Sequence, residues 1–164
     1  MTEHIVHFTD ETLEETLKSD HKVVWIIEAF TNWSNDCSAV APVFSDLALD
    51  YGHEFIRFGK IDVGKYDKWS KDNYINNGMM SKQLPSILVY EGGKCTTRRP
   101  EVRNKKLVKF SMSYENLEKE LNLKTLFNAA KNKKGKAKLP DFVPKYADEK
   151  GVKVVEEKEG KKQK

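Results

Sequence analysis

The residues best placed for chemistry are Trp33-Ser34-Asn35-Asp36-Cys37, where a buried apolar run over 22–30 meets the start of an amphipathic segment. A cysteine in the first turn of a helix can act as a nucleophile, because the helix dipole favours its thiolate. Asp36, beside Cys37, opposes that by repelling a second negative charge. Ser34 lies three residues earlier, but a hydroxyl nucleophile needs a general base, and no histidine neighbours it in the sequence. An inert, half-buried thiol is therefore preferred for Cys37 over a working nucleophile. Glu28 sits inside the apolar run, where a carboxyl stays protonated unless water or a cation such as Lys60 stands beside it. Two cysteines and four histidines without clustered spacing make neither a disulfide framework nor a zinc site. No metal or cofactor is implied.

The elements that must position these groups alternate. Ile5–Phe8 is a short apolar run, and Thr9 or Asp10 can cap the acidic helix that follows to about Lys18. The run KVVWIIEAF over 22–30 is continuous, β-branched and aromatic, and too short for a helix, which predicts a fully buried strand. Cys37, Val40, Phe44, Leu47, Ala48 and Tyr51 recur at helical spacing, predicting a helix over 35–51 with a kink at Pro42. A strand over 54–63, a short helix over 66–74 and a strand over 86–90 follow. The Gly92–Gly93 turn leads into a further strand over 94–98. Ser113 caps a helix carrying Tyr114, Leu117 and Leu121. The spacing slips at Asn122, so Leu123, Leu126, Phe127 and Ala130 form a separate short helix. This order predicts an α/β fold with a mixed central sheet covered on both faces.

In these residues the chain resembles the thioredoxin superfamily, in particular its protein disulfide isomerase branch. The family's Trp-Cys-x-x-Cys appears as Trp33-Ser34-x-x-Cys37, and its helix-kinking proline as Pro42. Its buried acid falls on Glu28, the companion lysine of the next strand on Lys60, and its cis-proline on Pro85. The resemblance implies a thioredoxin fold over about 5–121. It also implies that Ser34 replaces the attacking cysteine and that Cys37 is the shielded, resolving one. Glu28, which relays a proton in active isomerases, becomes a relic beside Lys60. A cis-proline exposes the backbone of Leu84 to an extended peptide, so a protein-binding groove beside Trp33, Leu84 and Pro85 can outlive catalysis. Cys95 cannot replace the missing thiol: about six strand residues separate it from the Pro85 end by roughly 17–20 Å, against the ~7 Å limit for bridged Cα atoms. Asn32–Cys37, Lys82-Gln83-Leu84-Pro85, Gly92-Gly93-Lys94 and Arg98-Arg99-Pro100 narrow the resemblance to membrane-anchored members, whose membrane segments lie upstream. The stretch between Asp62 and Pro85 is longer than in typical isomerase domains and lies beside the active turn.

Charge divides the chain. Residues 123–164 hold 13 Lys and 6 acidic residues, a net of +7, which leaves −3 for residues 1–122. The expected organisation is a thioredoxin-like domain over 1–122, a short amphipathic helix over 123–134 and a disordered basic tail over 135–164. A basic tail can attract anionic lipid or nucleic acid, but that reading rests on charge alone, and nucleic acid is set aside. No apolar run reaches the ~18–20 residues needed to span a bilayer. Lys161 and Lys162, third and fourth from the end, resemble a dilysine retrieval signal of endoplasmic reticulum membrane proteins. That signal is read in the cytosol, so domain and tail are expected on the cytosolic side of that membrane. Asn32-Trp33-Ser34 fits the N-glycosylation pattern and is read as coincidence. The preferred function is a protein-binding or redox-sensing module with little or no dithiol oxidoreductase activity. The alternative is an atypical single-cysteine oxidoreductase using Cys37.

Overall fold

The seven residues of Val24–Phe30 form the central strand of the sheet, and six of them are buried. A computed structural model describes residues 4–146 of the chain. Its elements run β1 (Ile5–Phe8), α1 (Asp10–Ser19), β2 (Val24–Phe30), α2 (Asn35–Tyr51), β3 (Ile56–Asp62), α3 (Asp67–Asp72), β4 (Ser86–Glu91), β5 (Lys94–Arg99), β6 (Val102–Arg103), β7 (Lys106–Leu107), α4 (Tyr114–Glu120) and α5 (Leu123–Lys131). The main sheet has the order β1-β3-β2-β4-β5. β1, β3 and β2 are parallel, and β4 and β5 add antiparallel. This is the expected mixed α/β sheet.

Alternation along the strands sends residues to two covered faces. Phe58 meets Phe44 of α2 edge-on at 5.5 Å, so the face holding Ile26, Glu28 and Lys60 lies under α2. Trp25 and its partner Tyr90 face the other way, where α1 and α3 converge on Tyr90. Local chemistry sets the helix starts. Thr9 and Thr12 form a reciprocal capping box at α1, and Ser113 caps α4. Asn122, at φ 58, breaks the register between α4 and α5.

Several boundaries differ from the expected ones. The strand predicted from residue 54 begins at Ile56, because His53 and Ile56 close a tight turn. The helix predicted over 66–74 is confined to Asp67–Asp72. β6 and β7 were not anticipated. The short helix expected as a separate unit buries Leu123 and Ala130 in the common core. The larger correction concerns the tail. Residues 132–146 lie along the domain rather than leaving it. Ala137 N–H donates to Glu54 at 2.8 Å, Lys138 N–H to Asp20 at 2.8 Å, and Tyr146 Oη to the Gly52 carbonyl at 2.6 Å. Val143 is buried with the core. This strap has no periodicity because its anchors are main-chain hydrogen bonds and single side chains. Residues 147–164, including Lys161 and Lys162, lie outside the described residues.

Candidate functional site

The site stands where β2 hands over to α2. Val63 N–H bonds the Phe30 carbonyl at 2.8 Å, keeping β2 and β3 paired up to the turn. Trp33 then folds over Gly64: a Cβ there would lie 2.5 Å from the indole, so a larger residue would push the ring aside. The tryptophan remains 47% exposed, open to a ligand. Ser34 is the N-cap of α2, its Oγ accepting the N–H of Cys37 at 3.2 Å. The Ser34 hydroxyl thus serves to start the helix.

Cys37 is buried, and its thiol is pushed above the ordinary cysteine range. Burial is the largest cause. Hydrogen bonds involving the Thr31 backbone and the Ser34 side chain pull the other way, while the charges of Glu28 and Asp36 add to the rise. A thiol held in its neutral form is a poor nucleophile at neutral pH. Cys95 is exposed on β5 opposite Tyr90, and the two cysteines are not bridged.

Glu28 and Lys60 meet as the sequence suggested. They are register partners on β2 and β3, with Lys60 Nζ 3.5 Å from Glu28 Oε1, an ion pair long for a hydrogen bond. Glu28 is 1% exposed. Its burial raises the carboxyl above the usual range, with the nearby charge of Lys60 only partly offsetting the effect. His7, the partner of Lys60 on β1, extends the row; its side chain is exposed, and partial loss of hydration together with the Lys60 charge lowers its pKa. Only the strand register, invisible in the sequence, places His7 here.

The Glu28 shift has a pH consequence. A carboxyl raised in the folded state favours the fold while protonated, below its unfolded value, and that advantage is lost as pH rises through the folded value. Glu28→Gln, which keeps the shape and removes the charge, is expected to raise the melting temperature at pH 7 but not at pH 4. Melting curves of both proteins across pH 4–8 check this; a gap that widens on acidification contradicts it. Lys60, part-exposed, can turn to water in the variant.

A groove of about 790 Å³ runs beside the turn. Asp36, Ala39 and Val40 of α2 form one side; Lys82, Leu84 and Pro85 meet them, and the Leu84–Pro85 peptide is cis. The other wall is Pro100 with residues 107–113, including Val108, Phe110 and Met112. That wall was not predicted, although apolar residues at 107, 108, 110 and 112 just before the Ser113 cap are a visible signal. The long stretch between Asp62 and Pro85 is tied down by Asn77, whose amide donates to the Val63 carbonyl at 2.7 Å and to Asp67 at 2.9 Å. It presents Met79 and Met80, both strongly exposed.

A strand-turn-helix with Ser34 and Cys37 at the helix start, Glu28 and Lys60 beneath it, and a cis-proline alongside defines the class. The thioredoxin family profile matches residues 4–113, and the chain belongs to that family. Within it, the chain is 42% identical over 137 residues to thioredoxin-related transmembrane protein 2-B of Danio rerio, covering 83% of this chain and 44% of that protein. It is 44% identical over 130 residues to thioredoxin-related transmembrane protein 2 of Xenopus tropicalis, covering 79% and 45%. The Caenorhabditis elegans homolog is 37% identical over 141 residues, covering 85% and 53%. The chain thus spans about half the length of these curated relatives. Among solved structures, full-length ERdj5 shares the fold at TM-score 0.54 and 18% identity, over 73% of this chain and 16% of that one.

Proposed function

We propose that this chain is the thioredoxin-like domain of an endoplasmic reticulum membrane protein, acting as a protein-binding or redox-sensing module with little or no dithiol oxidoreductase activity. One observation carries the reading: the attacking position holds Ser34, whose oxygen caps α2, and the remaining thiol, Cys37, is buried with its neutral form favoured. Disulfide exchange needs an attacking thiolate and a second thiol to resolve the mixed disulfide; one buried thiol supplies neither step well. The groove beside Leu84 and Pro85 survives without that chemistry, and its apolar lining with the exposed Trp33 suits an extended polypeptide.

Membrane attachment is inferred from the relatives, which are named transmembrane proteins and of whose length this chain spans about half. Among the described residues no helix is long and apolar enough to cross a membrane. The endoplasmic reticulum and its cytosolic side rest on Lys161 and Lys162. Insulin reduction with dithiothreitol tests the chemistry: wild type and Cys37→Ala are expected to give the same rate, equal to background. Wild-type turnover that disappears in Cys37→Ala overturns the reading and makes Cys37 a single-cysteine catalyst.

A further inference from the structure

The groove has a charged rim that peptide binding alone does not need. Six basic residues, Arg98, Arg99, Arg103, Lys105, Lys106 and Lys109, fall within twelve positions that contain one acid, Glu101. Three have structural partners: Arg98 donates to the Asn73 carbonyl at 2.8 Å, Arg99 pairs with Glu120 at 3.0 Å, and Arg103 pairs with Glu101 at 2.9 Å. Lys105, Lys106 and Lys109 take no carboxylate partner among the described residues, nor does Lys82. Their placement follows from the fold. β6 and β7 pair through Val102–Leu107 and Arg103–Lys106. The turn joining them, with Asn104 and Lys105 at φ 53 and 65, projects the lysines into solvent. Leu107, next to Lys106, lines the groove, as do Lys109 and Lys82; Asp36 is the acid opposing them there.

We propose that the groove selects extended polypeptide segments in which acidic residues adjoin an apolar stretch, with the apolar part on Val40, Leu84 and Phe110 and the acidic part against Lys82, Lys109 and the β6–β7 hairpin. The proposal rests on the reading of the groove as a polypeptide site. Charge complementarity names the occupant: an apolar channel with a basic rim rewards negative charge only where it is continuous with an apolar segment. A planar anionic membrane shares the charge but cannot enter the concavity that holds Lys82, Lys109 and the apolar lining.

The test uses the full chain and fluorescein-labelled twelve-residue peptides that share one Leu-Val-Phe-Leu centre and carry Glu, Ser or Lys flanks, read by anisotropy. In 50 mM salt the Glu-flanked peptide is expected to bind roughly tenfold tighter than the Ser-flanked one, as three or four exposed ion pairs allow, with the Lys-flanked peptide weakest. The ratio should fall within about twofold in 500 mM salt, where the screening length is only a few ångströms. It should fall equally in Lys105→Glu/Lys106→Glu and in Lys82→Glu/Lys109→Glu, and Ala39→Trp, which fills the groove from an exposed helix position, should weaken all three peptides. Equal affinity for Glu and Ser flanks overturns the selectivity and leaves the groove reading standing. Failure of every peptide to bind, or indifference to Ala39→Trp, removes the groove reading and the selectivity with it. Binding to phosphatidylserine-containing vesicles that depends on Lys105 and Lys106, without discrimination among peptides, assigns the hairpin to lipid and overturns the proposal.

Discussion

Ser34→Cys is expected to give insulin reduction on the order of 100-fold above the wild-type background, because it restores the one group that exchange chemistry lacks. The new sulfur would occupy the N-cap, beside the N–H of Cys37 that now donates to Ser34 at 3.2 Å. That donor and the helix N-terminus favour a thiolate. It attacks a substrate disulfide, forming a mixed disulfide and releasing one substrate thiolate. Cys37, one turn in, then gives up its proton and attacks the sulfur at 34, releasing the second substrate thiolate; external dithiothreitol reduces the resulting 34–37 disulfide. The slow step falls on Cys37, whose thiol burial, Glu28 and Asp36 all hold protonated. Rates should therefore climb with pH, and adding Asp36→Ala to Ser34→Cys should increase them further. A Ser34→Cys protein that forms the 34–37 disulfide yet never turns over insulin would mean that the wall of residues 107–113 excludes the substrate. The serine at 34 would then not be what limits insulin reduction.

What the sequence disclosed follows from how each feature is encoded. The β2 run, the Ser34–Cys37 start of α2 and its span across Pro42 to Tyr51 are local patterns, legible from residue type and spacing. Glu28 and Lys60 could be paired through the family pattern, and parallel register then brings them together. The far wall of the groove is different. β6 and β7 are two residues each, too short for alternation to register, and their position depends on the course of residues 99–113. Residues 135–146 of the strap read as free chain for a related reason. Lys, Gly and Pro dominate its composition, and its attachment rests on acceptors at Asp20, Gly52 and Glu54, far away in sequence. Composition reports how much apolar surface a segment can bury; it does not report carboxylates waiting elsewhere for main-chain donors.

Ending the chain at Lys131 is expected to lower the melting temperature by roughly 6–12 °C, a loss of about 3 kcal/mol at this chain length. The strap covers Arg57, which is 4% exposed in the middle of an apolar face. Its guanidinium lies 5.6 Å from the ring of Trp25 and 5.6 Å from that of Tyr146, and it donates to the Pro144 carbonyl at 2.7 Å. Truncation removes one ring and the acceptor together, and it uncovers the core at Val143, whose burial alone contributes about 1.5 kcal/mol or more. Arg57→Ala in the intact chain should cost a comparable ~3 kcal/mol, because it leaves a cavity beside two aromatic rings and a carbonyl without its donor. Arg57→Met, which fills the same space without a charge to desolvate, should cost less than half as much. A double-mutant cycle separates the causes. If Arg57 and the strap stabilise each other, Arg57→Ala in the chain ending at Lys131 should cost far less than it does in the full chain. Independent, additive losses would mean that the strap stabilises through Val143 and its main-chain bonds alone. A truncated chain melting within a degree of the intact one would mean that the strap contributes nothing, and that the domain ends with α5.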